Sequence, residues 1–267
     1  MSQIFAGQLQ LDADLGLGHL PEQRREWLTR LEVDGAVLDL DDHIVPELAV
    51  ERAELGIGLL DAVLLGRYPE RLAEIFGEAW PAWGAEDLDS ISRPIDFVGI
   101  NYYTRSVTRY DSAKWPVHAA PVRQKQATYT ETGWEVFPQG LVDTLVAIKN
   151  RYDNPRVYVT ENGAAFFDPP VATNGRVVDP LRVDYLQGHI LAVHEALAKG
   201  VNVHGYFAWS LLDNFEWSLG YSKRFGIVHV NFETQQRTLK DSARHYARII
   251  ATNGRALRDP IAAGNSP

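Results

Sequence analysis

Four short runs in this chain are almost continuously apolar, and a helix-patterned stretch separates each from the next. They are 35–40 (GAVLDL), 96–103 (DFVGINYY), 157–160 (VYVT) and 203–209 (VHGYFAW). A strand covered on both faces reads this way, because neither face needs polar residues. Ahead of the first run, Trp27, Leu28 and Leu31 fall at helical spacing, and Pro21 suits a helix start. Leu141, Val142, Leu145, Val146 and Ile148 share one helical face. Val183, Leu186, Ile190, Val193 and Leu197 make a cleaner one that stops at Gly200. Ala243, Tyr246, Ala247 and Ile250 make a last helix. Alternation of this kind implies parallel βαβ units wound right-handedly. Four strands do not close a (β/α)8 barrel, which takes eight and typically about 250 residues. The expected class is therefore α/β with about four parallel strands, either a small open sheet or part of a barrel.

The composition narrows the function classes. The formal net charge is −9 and the chain has no run of Lys and Arg, which argues against nucleic-acid and anionic-membrane partners. There is no cysteine, which excludes disulfides, thiol nucleophiles and Cys-ligated zinc. No stretch approaches 18 consecutive apolar residues, and the first 16 residues lack a basic region leading into an apolar core. A soluble, cytoplasmic protein is expected. The tail from about 252 onward, rich in Gly, Asn, Ser and Pro, reads as a frayed end.

Two strings carry chemistry. In Tyr158-Val-Thr-Glu161-Asn-Gly163 a carboxylate follows directly on a buried apolar strand. In α/β architectures that strand end is where ligands bind. The competing reading is that Glu161 caps a loop or pairs with an arginine. The second string runs from Trp209 through Asp213, Phe215, Glu216 and Trp217 to Phe225. Indole faces stack on the C–H faces of sugars, while carboxylates and indole N–H groups bond the hydroxyls. Glu216 and Trp217 are expected at a site and Phe215 in the core. For Asp213 a turn-capping role stays open. The segments 104–135 and 161–181 are longer than plain connections need, which is the mark of functional loops.

These strings, together with DFVGINYYTR, TETGWEVFPQGL, GYFAWSLLDNFEWSLGYSKRFGIVHV and LLDAVLLGRYPERL, resemble the C-terminal half of family-1 glycoside hydrolases, the β-glucosidases. The resemblance covers roughly residues 33–252, leaving 1–32 as an unassigned segment with a helix and 253–267 as a flexible tail. It implies a partial, half TIM-type (β/α)8 barrel that acts on terminal β-linked glucosides with retention, without metal or organic cofactor. By the same resemblance Glu161 would be the nucleophile and Tyr103 the phenol that orients it. Asn101 would help to fix that network. Glu216 and Trp217 would bond the sugar hydroxyls, Trp209 would form the stacking floor and Phe225 would close the pocket. Trp134 would form an aromatic wall for the leaving group. Core packing stays an equal reading for Trp134 and Phe225.

The family's acid/base Glu lies in an Asn-Glu-Pro motif, and no Asn-Glu-Pro occurs in this sequence. Asp39, Asp41 and Asp42 follow the first run, but capping or solvent exposure is the preferred reading for them. A four-strand part of a barrel would expose sheet edges and an apolar inner face. Self-association, or a partner supplying the N-terminal half, is therefore expected, with activity impaired or partner-dependent. A carbohydrate-binding or structural half-barrel is the alternative.

Overall fold

The computed structural model describes residues 58–81, 84–114, 118–170 and 172–258. The expected strand 35–40, Asp39, Asp41, Asp42 and the helix around Trp27 lie outside these residues. Helical residues 58–65 (α1) are followed by α2 (Glu70–Phe76) and α3 (Ala85–Ile91). Then come β1 (Val98–Asn101), the β2–β3 hairpin (Thr108–Tyr110, Ala119–Pro121) and α4 (Pro138–Arg151). The chain continues through β4 (Val157–Asn162), α5 (Pro180–Ala198) and β5 (Val203–Ala208). It closes with the β6–β7 hairpin (Val228–Val230, Arg237–Leu239) and α6 (Asp241–Ala251). Among the described residues no helix is long and apolar enough to cross a membrane.

The main sheet has the order β1-β4-β5 with both pairings parallel, as the strand–helix alternation predicts. Both crossover helices begin with proline at N1/N2, where a missing N–H costs nothing. Lys149 and Arg151 sit in the last turn of α4, favourably placed for the helix dipole. Leu141 and Leu145 of α4 and Ile190 of α5 pack on Val157 and Val159, all 0% exposed. Ile249 of α6 joins the same core.

Two expectations change. The strands read as covered on both faces, yet among the described residues only the helix-facing side is. On the inner face Phe97 is 49% and Phe207 51% exposed, and Phe97 meets the Tyr158 ring edge-on at 5.1 Å. Gly205 leaves room for that ring, since a Cβ there would lie 2.7 Å from Tyr158 Cδ1. The expected tail also contributes structure: residues 255–258 form a 3-10 turn that buries Ala256 and Leu257 in the core. Those two side chains are apolar, and burial outweighs the Gly and Asn around them.

Candidate active site

The geometry of the site begins with an irregularity in β4. Ile100 pairs with Val159, but Asn101 pairs with Glu161, and on the other edge Tyr206 pairs with Val159 but Ala208 with Asn162. On both sides β4 carries one residue more than its neighbour, which is a β-bulge at 160–161. Bulges beside active sites re-aim side chains. The burial of β4 follows suit: Val157, Val159 and Asn162 are buried, while Tyr158, Thr160 and Glu161 are partly open. The bulge thus turns Glu161 to the inner face and returns Asn162 to the core. Gly163 completes the string, because a Cβ there would lie 1.7 Å from the Trp209 carbonyl oxygen. Only glycine lets β4 pass the end of β5 so closely.

Tyr103 donates its hydroxyl to Glu161 Oε2 at 2.6 Å. Burial, then the bond to Glu161 and its charge, push the phenol far above its ordinary range. It therefore stays a donor at any working pH. The Tyr103 ring lies 5.2 Å from Trp134 and 6.2 Å from Phe225, and Trp134 lies 5.9 Å from Phe225. Phe225 is 2% exposed, so it backs this wall and presents no free face. Trp134 sits in a tight turn closed by the Tyr129–Glu135 bridge, with Gly133 at φ +81. Arg105 clamps the next residue, Glu135, with two bonds of 2.9 Å and lies 3.6 Å over the Phe137 ring. Across the opening, Lys223 pairs with Glu131 at 3.0 Å, tying this turn to the 217–225 loop.

The Trp209 side chain lies close enough to act on the Glu216 carboxyl as a polar partner, a use of the ring that the stacking role did not anticipate. Burial raises the Glu216 carboxyl above its ordinary range, Trp209 opposes this, and the charge of Glu161 adds to it. The Glu216 carboxyl therefore feels the Glu161 charge. Trp217, at φ +41, is 82% exposed. Phe215 is 61% exposed and meets Tyr221 edge-on, which corrects its expected place in the core. An aromatic residue in a loop carries no periodicity to say which way it faces. Asn101 also acts differently from the expectation. Its carboxamide oxygen accepts the Thr160 hydroxyl at 2.7 Å, so it holds the bulge residue and not the carboxylate.

A match to a known protein family decides what this arrangement belongs to. A family model, Glycosyl hydrolase family 1, matches residues 47–255. The chain belongs to glycosyl hydrolase family 1. Beta-glucosidase A of Acetivibrio thermocellus is 41% identical over 213 residues, covering 77% of this chain and 47% of that protein. Beta-glucosidase A of Thermotoga maritima is 44% identical over 195 residues, covering 73% and 43%. The solved β-glucosidase from T. maritima in complex with noeuromycin superposes with a TM-score of 0.76 at 39% identity, over 83% of this chain and 49% of that one. The chain spans about half the length of the curated relatives it matches.

Within this family-1 chain, Asp213 lies away from the Glu161 opening. It is 4% exposed, bonded to Lys240 Nζ at 2.8 Å and to Arg224 at 2.6 Å. Lys240 also reaches Asp168 at 2.6 Å, and Arg182 joins Asp168 at 2.9 Å and Asp179 at 2.6 Å. Burial pushes the Asp168 carboxyl up, but Arg182 and Lys240 outweigh it and hold the group below the usual range. This buried ionic chain fastens the loop after β4, the start of α5, the loop after β5 and the start of α6. Sequence reading missed it, and also missed the buried Asn162, Tyr185 and Tyr206. The available signal was polar aromatics on the apolar face of α5, where Tyr185 and His189 interrupt the Val183–Leu186–Ile190 stripe.

Proposed function

We propose that this chain carries the nucleophile side of a retaining β-glucosidase site, on a half-barrel whose inner face is formed by β1, β4 and β5. In this reading a Glu161 oxygen attacks the anomeric carbon as the bond to the leaving oxygen breaks, and that oxygen departs with the bonding pair. Water then releases the sugar from Glu161. Tyr103 orients the attacking carboxylate, and Glu216 with Trp217 bonds the sugar hydroxyls. Trp209 lies beneath the ring and Trp134 flanks the leaving group. The observation that carries this reading is the 2.6 Å Tyr103–Glu161 bond at a bulge that turns Glu161 away from the core. The names of the relatives supply the substrate class: they are β-glucosidases.

General acid–base assistance contributes about 10²–10⁴-fold to such reactions. The sequence holds no Asn-Glu-Pro, so turnover of poor leaving groups is impaired here, or depends on a complementing N-terminal half that supplies the acid; a second copy of this chain would close the sheet without supplying it. A non-catalytic sugar-binding half-barrel is the second reading, favoured by the 82% exposure of Trp217 beside Glu216. A 2-deoxy-2-fluoroglucoside with a dinitrophenolate leaving group separates the two, since that group departs without an acid. Mass spectrometry finding the label on Glu161 supports the nucleophile. Sugar binding by calorimetry without any label supports the binding module and overturns catalysis.

A further inference from the structure

Behind Glu161 the chain builds a fully satisfied polar joint that no site role accounts for. Asn162 is 0% exposed and uses every hydrogen-bonding atom of its side chain that geometry allows. Its Nδ2 donates to the Tyr102 carbonyl at 2.6 Å and to the Tyr185 hydroxyl at 3.1 Å, and its Oδ1 accepts the Tyr206 hydroxyl at 2.6 Å. Tyr185 passes the chain on by donating to the Tyr103 carbonyl at 3.1 Å. The Asn162 carbonyl accepts the Trp209 N–H at 2.9 Å. One residue thus fastens the ends of all three parallel strands.

The two backbone segments held this way carry two side chains that act on the site carboxylates. Tyr103 donates to Glu161, and Trp209 is a polar neighbour of Glu216. Burial keeps the Tyr185 and Tyr206 hydroxyls protonated, so both remain donors. Tyr185 is itself stacked on His189, with ring centroids 3.9 Å apart. A buried network with every member paired is rigid, because each alternative geometry leaves a polar group unsatisfied.

We propose that Tyr185 and Asn162 are positioning residues that set the Tyr103–Glu161 bond by fixing the backbone from which Tyr103 extends. This rests on Glu161 being the nucleophile only for its kinetic consequence; the geometric part stands on the hydrogen bonds alone. Tyr185→Phe removes one hydroxyl and keeps the ring. Tyr206→Phe cuts the same joint one bond further away. Tyr246→Phe is the control, because its hydroxyl donates to the Tyr206 carbonyl and touches neither Asn162 nor Tyr103.

Two readouts divide the question. A short O–H···O bond gives a downfield hydroxyl proton in NMR, assigned to Tyr103 by its loss in Tyr103→Phe. That resonance is expected to move upfield or vanish by exchange in Tyr185→Phe, less so in Tyr206→Phe, and to stay in place in Tyr246→Phe. The second readout is labelling by the fluoroglucoside at saturation. Misplacing a reacting group slows the step without weakening binding, so the saturating rate is expected to fall about tenfold in Tyr185→Phe. The half-saturating concentration stays within about twofold. A resonance and saturating rate unchanged in Tyr185→Phe, with melting lowered as in Tyr246→Phe, overturns the positioning role. A wild-type chain that shows the resonance but takes no label overturns the glycosidase reading instead, and the resonance alone then decides the positioning role.

Discussion

The outward and inward side chains of β4 differ in almost every physical respect. Val157, Val159 and Asn162 face the helices and are 0% exposed, packed or hydrogen-bonded on all sides. Tyr158, Thr160 and Glu161 face the other way and stay partly open, beside an exposed Phe97 and Phe207. A single bulge assigns Glu161 to the second group. In the proposed reading, the difference teaches that stability and chemistry in this chain are divided by the parity of one strand. The outward side packs the core, and the inward side, left partly open, carries the proposed nucleophile.

The buried ionic chain gives that division its largest test. Lys240→Ala strips two buried carboxylates, Asp168 and Asp213, of a cation they share at 2.6 and 2.8 Å. Leaving buried charge uncompensated costs about 3–5 kcal/mol. Calorimetry is expected to show a correspondingly large fall in melting temperature. A loss under about 1 kcal/mol would mean that water reaches the cluster and the outward side is not sealed.

Paired truncations then compare the two sides directly. Leu145→Ala opens a cavity against Val157 and Val159 and is expected to cost about 2–5 kcal/mol in urea unfolding. Phe207→Ala, on the open inner face, removes a larger side chain and is expected to cost under about 1 kcal/mol. Equal losses would show that a partner or another segment covers the inner face in solution.

A pH series sharpens the same contrast. His189 is fully buried behind Tyr185, and its Nδ1–H donates to the Tyr185 carbonyl at 2.8 Å. Burial, only partly opposed by that bond, pushes its ring down from 6.5 to about 4. Protonation therefore favours the unfolded chain. The stabilising contribution is complete above pH 6.5 and falls away as the pH drops toward 4. At about 1.4 kcal/mol per unit the loss totals roughly 3 kcal/mol. Stability measured by urea titration across that window is expected to slope down in the parent chain and to flatten in His189→Phe. The same slope in both would place the titration elsewhere.

The sequence made the outward side legible and much of the inward side illegible. The α5 stripe through Leu186 and Ile190 follows from periodicity, because packing is periodic, whereas Val157 and Val159 were legible only as part of an apolar run that does not say which face each takes. Glu161 was legible as a carboxylate at a strand end. The bulge that aims it was not, since an extra residue in β4 leaves no mark in a run as short as 157–162. Phe215 was misplaced for a related reason, as loop residues have no alternation to read. The Lys240–Asp168 and Arg182–Asp168 pairs were out of reach because their partners lie 72 and 14 positions apart. Asn101 was assigned to the correct strand end, but its partner is decided by the register shift and not by its own sequence.

The most direct test of the division is a pair of measurements on Glu161→Gln: thermal melting, and labelling by the dinitrophenyl fluoroglucoside followed by peptide mass spectrometry. The account predicts that the variant melts within a few degrees of the parent, a change of under about 1 kcal/mol, and takes up no label while the parent is labelled on Glu161. A variant that unfolds as Lys240→Ala does, or a label recovered on any other carboxylate, would contradict it.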